Sequence, residues 1–420
     1  MLRDVSGERV TNWAGNIVFG ARRCHRPATV AQLQELVAAG GPVKVLGSGH
    51  SFNRMADTSG DLVSLAGLPR IAEVAADRRS VRVDGGIRYG ELAARLHAEG
   101  LALHTMASLP HISVAGAVAT ATHGSGARHA NLATAVSAVE LVRGDGTAVT
   151  LRRDADGDAF AGAVVHLGAL GVVTALTLDV VPAYELRQYV YEGLPRAALA
   201  AHLPEILADG YSVSLFTTWS TPDIAAVWLK RREPMPAGDF HGARRATAPR
   251  HPVPGMPARN STDQSGEPGP WHTRLPHFRM EFTPSSGEEL QSEYHVPRDR
   301  ALEAIDAVQA VGPRIAPVLQ VCELRTVAAD ELWLSPNYRR DTFALHFTWI
   351  ADAGAVLPVV ARVEEALAPL DPRPHWGKIF TTDAATVRGR YARFADFVAL
   401  AREYDPDAVF RNAWLDALLG

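Results

Sequence analysis

Between Leu101 and Ala127 the chain carries no lysine, arginine, aspartate or glutamate. Within that run, Ser113 to Gly126 reads SVAGAVATATHGSG, almost wholly Gly, Ala, Ser and Thr. Small residues permit close approach of backbone to backbone, or of backbone to a ligand. The segment therefore belongs at a crowded place in the fold or against a bound molecule. With 420 residues, 47% hydrophobic and 21% charged, the rest of the chain is that of an ordinary globular protein, long enough for about two or three domains.

Charge narrows the partners. A formal net charge of -4, with no basic block, offers neither a nucleic-acid stripe nor a membrane-surface patch. No apolar run approaches the roughly 20 residues that span a bilayer. The expected partner is a small molecule, with no nucleic acid and no membrane. Cys24 and Cys322 are the two cysteines, which excludes a disulfide scaffold and zinc-knuckle spacing. The start, MLRDVSGER, has charges where a leader needs an apolar core, so a cytoplasmic, reducing compartment is expected.

Helices and strands alternate at short spacing, the grammar of an α+β or α/β domain. RPATVAQLQELVAAGG predicts a helix: Thr29 and Gln32 have capping-box spacing, Val30, Leu33 and Val37 share a face, and Gly40-Gly41 stop it. Strands are expected at Val43–Leu46, Leu62–Leu65 and Ser80–Asp84, and a helix ends at Gly100. A long strand follows LGALG, with Val172, Leu176, Leu178 and Val180 on one face. A domain boundary falls after Pro182. Beyond it, strand-helix-strand grammar predicts an antiparallel sheet with helices on one face. Residues Pro234 to Pro284 hold ten of the 27 prolines; an irregular excursion of that length is expected to wrap a surface or an active site.

VKVLGSGHSFN, Val43 to Asn53, runs a strand into consecutive glycines and then His50. Such a turn can aim several backbone N–H groups at phosphate oxygens. Neither GxGxxG opening a helix nor GxxxxGK[ST] is present, so a nicotinamide site or a P-loop is not offered. On local spacing alone, a glycine turn with a surface histidine is the ordinary reading. In the later strands, side-chain alternation puts Glu323 with Arg325, His346 with Thr348, and Gln291 with Glu293. Phe343, Leu345, Phe347 and Trp349 form the opposite, apolar face of one strand. Each polar pair has a plain alternative: a surface ion pair of little worth, solvent-facing side chains, and a solvated Lys378 in HWGK.

In this order and at these separations, GSGHSF, MASLPHISVAGAVATATHGSG and LGALGVVT resemble the PCMH-type flavin-binding half of the vanillyl-alcohol-oxidase family. The nearest likeness is to its bacterial alditol (xylitol) oxidase group, with sugar-lactone oxidases more distant. HPVPGMPA, EFTPSSGEELQSEY, CELRTVAAD, HFTW, HWGK and DPDAVFRNAWL extend the resemblance over nearly the whole chain. It implies an α+β, two-domain fold: an FAD domain over 1–182, a substrate-binding cap over 183–375 and a C-terminal segment, 376–420, returning to the FAD domain. It implies covalent FAD, bonded from the His50 imidazole to the flavin 8α-methyl, with Gly47, Ser48, Gly49, Ser51 and Phe52 beside it. Ser108, Ser113, Gly116, Thr120, His123 and Gly124 match positions lining the flavin, and Val172 or Val173 matches a backbone contact to the adenine end. His123 reads equally as a buried structural residue.

The same resemblance implies that Ser108, Gln291, Glu323, Arg325, His346, Thr348 and Lys378 bind a polyol. Arg325 and Lys378 are the expected catalytic residues. Oxidising an alcohol removes a hydride from carbon and a proton from oxygen, and cationic donors stabilise developing alkoxide. Lys378 could also take the proton if burial lowers its pKa. The implied activity is oxidation of the terminal primary hydroxyl of alditols such as xylitol and sorbitol to the aldose, with O2 reduced to hydrogen peroxide, by a monomer. A lactone oxidase or dehydrogenase of the same fold is the near rival. A metalloprotein using some of the 16 histidines is the distant one; with no HExxH and no Cys-rich ligand set, no metal is expected. A non-catalytic sugar-binding protein is the third, and His50, Arg325 and Lys378 together argue against it.

Overall fold

The computed structural model describes residues 10–420. The nine before them, MLRDVSGER, on which the reading of the N-terminus rests, lie outside the described residues. The first helix spans Val30–Ala38, with the Thr29 side chain accepting from the Gln32 N–H. Gln32 Oε1 accepts from Ala28 N at 2.8 Å rather than from the Thr29 N–H, so the capping box closes one residue early. Leu33 and Val37 are buried, but Val30 is 38% exposed; at the first turn it points away from the core that the other two enter.

The N-terminal part builds several small sheets. Strands Arg23–His25, Asp61–Val63 and Val43–Val45 pair in parallel. An antiparallel sheet runs in the order Ala72–Val74, Ser80–Asp84, Val172–Asp179, Val136–Val142, Ala148–Arg152. The small-residue segment contributes the short helix Val114–Ala119. Its Ala117 and Val118 are buried beside Val139 and Leu176 of the sheet's middle strands in one apolar cluster.

After Pro182 the chain enters a large antiparallel sheet. Its central strands are Ser212–Thr217, Leu319–Val327, Thr342–Trp349 and Leu290–Pro297, in that spatial order. One face is covered by helices Arg196–Ala208, Ala301–Ala310 and Ala353–Leu367, which bury Leu215, Leu324, Leu345 and Phe347. This is the α+β arrangement expected, and the alternation that places these apolar residues on one side places Glu323, Arg325, His346 and Gln291 on the other. Residues 234–284 form short turns and bridges that cross the polar face of this sheet, bringing Val253, His277 and Phe278 to a cavity.

The last segment turns back toward the N-terminal part. Val43 N donates to Val409 O at 2.8 Å, and Val409 and Phe410 share a core with Leu33, Val37 and Val63. Asn412 caps the final helix through Leu415 N (2.9 Å). Its amide also donates to the carbonyls of Arg54, Met55 and Asp57 at 3.1, 3.1 and 2.7 Å. On these contacts we propose the division 1–182, 183–375 and 376–420. Replacing Asn412 with Ala removes a cap and three further bonds at once. The expected cost is about 2–3 kcal/mol, read as a lower urea midpoint at unchanged slope.

Candidate active site

Between the two parts lies a deep cavity, lined by the glycine loop and the small-residue helix on one side and the polar face of the large sheet on the other. The glycine loop is shaped by near contacts. A methyl at Gly47 would stand 2.5 Å from Ser113 Oγ, and one at Gly116 would stand 2.8 Å from the same atom. Ser48 Oγ accepts from Ser113 N at 3.2 Å. Gly49 has φ +69°, and its carbonyl accepts from Trp13 N at 2.8 Å. Only small residues let these two backbones meet.

His50 projects from this loop into the cavity. Its ring stacks on Trp13, centroids 4.8 Å apart and planes 16° apart. Both ring nitrogens are buried, and among the described residues neither makes a hydrogen bond of good geometry. Burial, aided by the nearby His111, pushes the imidazole pKa down to about 4, so it is a neutral ring at pH 7. Two unpartnered buried nitrogens are costly, and a group bonded or hydrogen-bonded to one of them would offset that.

On the opposite wall, three adjacent strands place Glu293, His346 and Glu323 side by side: His346 pairs in register with Glu293 on one side and Glu323 on the other. Glu293, 1% exposed, is the hub. Its oxygens accept from Arg325 Nη2 at 2.7 Å and Lys378 Nζ at 2.7 Å, and His123 Nε2 lies 3.0 Å away. Burial alone would raise the Glu293 carboxyl; Lys378, then Arg325 and His123, outweigh it and hold the group well below the usual carboxylate range. Lys378 is shifted the other way: burial lowers its pKa, Glu293 opposes and Arg325 adds to the fall. Arg325 also reaches Ser108 Oγ at 3.4 Å, which ties the sheet to the charge-free segment.

Lys378 is held by the glycine loop. Phe52 N donates to Gly377 O at 2.7 Å, and the Asn53 amide donates to the carbonyls of Trp376 (2.7 Å) and Lys378 (3.0 Å). His346 Nε2 faces Gln291 Oε1 at 3.1 Å, and the Gln291 amide donates to Glu289 at 2.5 Å. Glu323 sits against His277, whose Nε2 is 2.8 Å from Oε1. Burial would raise the Glu323 carboxyl, but Arg325 and then His277 hold it well below its ordinary value.

All the substrate-side residues expected from the sequence line this one cavity: Ser108, Gln291, Glu323, Arg325, His346, Thr348 and Lys378. So do Gly47, Ser48, Gly49, His50, Ser51, Phe52, Ser113, Gly116, Thr120, His123 and Val173. Two do not. Val172 points into the core formed by Leu33, Val43 and Val63, because the strand's alternation sends it away from the cavity that Val173 faces. Gly124 packs against the Met106 carbonyl and the Thr105 hydroxyl, so it shapes the wall from behind. Nothing in the sequence marks Trp13, Glu293, His277 or His375 as site residues. Glu293 was on the correct strand face, whereas His277 lies in irregular chain with no periodicity to mark it. His123, Glu293 and His295 bring ligating atoms within 4.8 Å of one another, but Arg325 and Lys378 already occupy the Glu293 oxygens and their charge opposes a divalent ion there.

Exchanging Glu293 for Gln leaves the buried Arg325 and the half-buried Lys378 without their counter-charge, and the expected cost is about 3–5 kcal/mol. The folded pKa is depressed, so this stabilisation is present above the unfolded value of about 4.3 and is lost as pH falls through the lower folded pKa. In denaturant titrations the gap between wild type and Glu293→Gln should therefore shrink as pH is lowered from 7 toward about 3. A gap that is constant with pH would mean that the carboxylate is not ionised in the native state.

Comparison with known proteins agrees with this geometry. A family model described as "FAD binding domain" matches residues 22–152, and one described as "D-arabinono-1,4-lactone oxidase" matches residues 286–418. The chain is 58% identical to the alditol oxidase of a Streptomyces species over 98% of its own length and 99% of the relative's. It is 31% identical to the L-gulono-1,4-lactone dehydrogenase of Mycobacterium tuberculosis, with the same coverage of both chains. It is 24% identical to the mouse L-gulonolactone oxidase over 99% of each. With a cavity between an FAD-binding part and an antiparallel cap, and full-length identity of this order, the chain belongs to the FAD-dependent oxidoreductases of the vanillyl-alcohol-oxidase family, in the branch that holds alditol oxidase.

Proposed function

We propose that this protein is an alditol oxidase that takes the terminal primary hydroxyl of xylitol or sorbitol to the aldose, with FAD attached through His50 and O2 as the acceptor. The observation that carries the reading is the juxtaposition of an unpartnered buried imidazole at one end of the cavity with a buried Arg325–Glu293–Lys378 cluster at the other. The residues fit the cofactor. Gly47 leaves no room for a side chain and Gly49 has a positive φ that disfavours one, and His50 offers a neutral nitrogen with no hydrogen bond among the described residues. When bound, FAD supplies the hydride acceptor and passes two electrons to O2, giving hydrogen peroxide.

The chain's own residues handle the proton and the hydroxyls. Arg325, which keeps its charge at any working pH, donates to the oxygen of the reacting hydroxyl and stabilises the negative charge that grows there. Lys378 in its amine form takes the hydroxyl proton, and Glu293 beside it stabilises the ammonium that results. Glu323, Thr348, Gln291 and Ser108 bond the remaining hydroxyls. A molecule lacking these hydroxyls leaves buried polar groups unpaired and is rejected.

The match of residues 286–418 to a lactone-oxidase model and the lactone-directed relatives favour one second reading, a lactone oxidase or dehydrogenase on the same site. We further propose a monomer working in the cytoplasm. What supports the compartment is the pair of cysteines, Cys24 and Cys322, both free. Among the described residues no helix is long and apolar enough to cross a membrane.

The test compares xylitol, sorbitol and a sugar lactone, with and without O2. Peroxide formed one-for-one with aldose from xylitol is expected; turnover of the lactone alone, or turnover only with an artificial acceptor, would transfer the assignment to the second reading. Acid-precipitated protein should stay yellow, and His50→Ala should release the colour. Lys378→Met should lower kcat/KM by about 10²- to 10⁴-fold and abolish the rise in rate that accompanies loss of the lysine proton as pH increases.

A further inference from the structure

Behind Glu323 lies a buried chain of groups that the chemistry above does not use. Lys230, on the strand Ile224–Arg231 of the large sheet, is 0% exposed. Its ammonium has three N–H groups and meets three acceptors: the carbonyl of Leu275, the carbonyl of Pro276 at 3.3 Å and His277 Nδ1 at 3.1 Å. A neutral amine would leave one of these acceptors facing a lone pair. With Nδ1 accepting from Lys230, the proton of the neutral imidazole sits on Nε2, which lies 2.8 Å from Glu323 Oε1. Among the described residues Glu323 Oε2 has no hydrogen bond of 3.5 Å or less; His346 Nδ1 lies 3.7 Å from it. The backbone of the same histidine is tied to the charge-free segment, since His277 N donates to Ser108 O at 3.0 Å.

We propose that Lys230 and His277 are positioning residues that fix the orientation of the Glu323 carboxylate and occupy one of its oxygens, so that the other is presented to an internal hydroxyl of the ligand. The reasoning rests on the polyol reading above. Lys230 sets the tautomer of His277; His277 occupies one oxygen of a carboxylate that, being ionised, only accepts; the second oxygen is left for the ligand. A polyol hydroxyl donates to it. By anchoring to Ser108 on the flavin side, His277 also holds this acceptor in register with the reacting end of the cavity.

The experiment is calorimetric binding to the flavinylated enzyme, reduced anaerobically with dithionite so that no turnover occurs. The ligands are xylitol and pentitols lacking one internal hydroxyl. In wild type, at least one deoxy analogue should bind about 10- to 100-fold more weakly than xylitol, the range for a lost bond to a charged group. In His277→Leu and in Lys230→Met that ratio should collapse toward one. His277→Gln, which keeps both a donor for Glu323 and an acceptor for Lys230, should restore most of it. Flavin reduction by xylitol in wild type is the control: no reduction by any polyol overturns the polyol reading and this proposal with it. Reduction in wild type, with the deoxy ratio unchanged in properly folded variants, overturns the positioning role alone. If His277→Leu does not fold, Lys230→Met and His277→Gln decide by the same ratio.

Discussion

A single carboxylate connects the parts of this molecule that have to meet. Glu293 arrives on a strand of the cap sheet, Arg325 on the strand two places across, and Lys378 on the segment that returns to the N-terminal part. In a dry site, charges of one sign cannot be left alone: an unpaired ion there costs several kcal/mol. The three groups therefore hold one another in place, and each element that carries one is fixed relative to the other two. Arg325 extends the linkage to Ser108, so the charge-free segment is tied to the same hub.

The glycine loop completes the circuit. Phe52 and Asn53 bind the backbone of residues 376–378, so the loop bearing His50 and the loop bearing Lys378 are parts of one hydrogen-bonded unit. The small residues at Gly47, Ser113 and Gly116 are what allow it to close against the helix behind it. Thus the loop carrying His50 and the charge cluster on the opposite wall are joined through one backbone bond and the Asn53 side-chain amide.

Much of this was legible because it is periodic. Alternation alone put Glu323 and Arg325, His346 and Thr348, and Gln291 and Glu293 on one face of strands whose other face is Phe343, Leu345, Phe347 and Trp349, and the structure keeps every one of those faces. Register across strands was not legible, and that is what turns Glu293 from a face residue into the partner of Arg325. Val172 was lost for a related reason: both faces of its strand are buried, so pattern does not say which one meets the cavity. His277 and Lys230 had no signal. The first sits among prolines, and the second ends an apolar strand beside Arg231 and Arg232, where a lysine reads as solvated.

Glu293, Glu323, Arg325 and Lys230 are buried in one region, with the half-buried Lys378 beside them. Ion pairs buried in this way are often less stabilising than apolar residues of the same volume, so stability alone does not explain them. A cavity wall of leucines would fold as well and would bind a polyol badly, since every hydroxyl entering it would lose its bonds to water. The arrangement is better understood as hydration transferred into the protein in advance. On the proposed reading, donors and acceptors stand where a polyhydroxylated guest needs them, their own desolvation already offset by one another. The cost of burying these charges is met in folding, and the guest that enters exchanges water for groups that do not have to move.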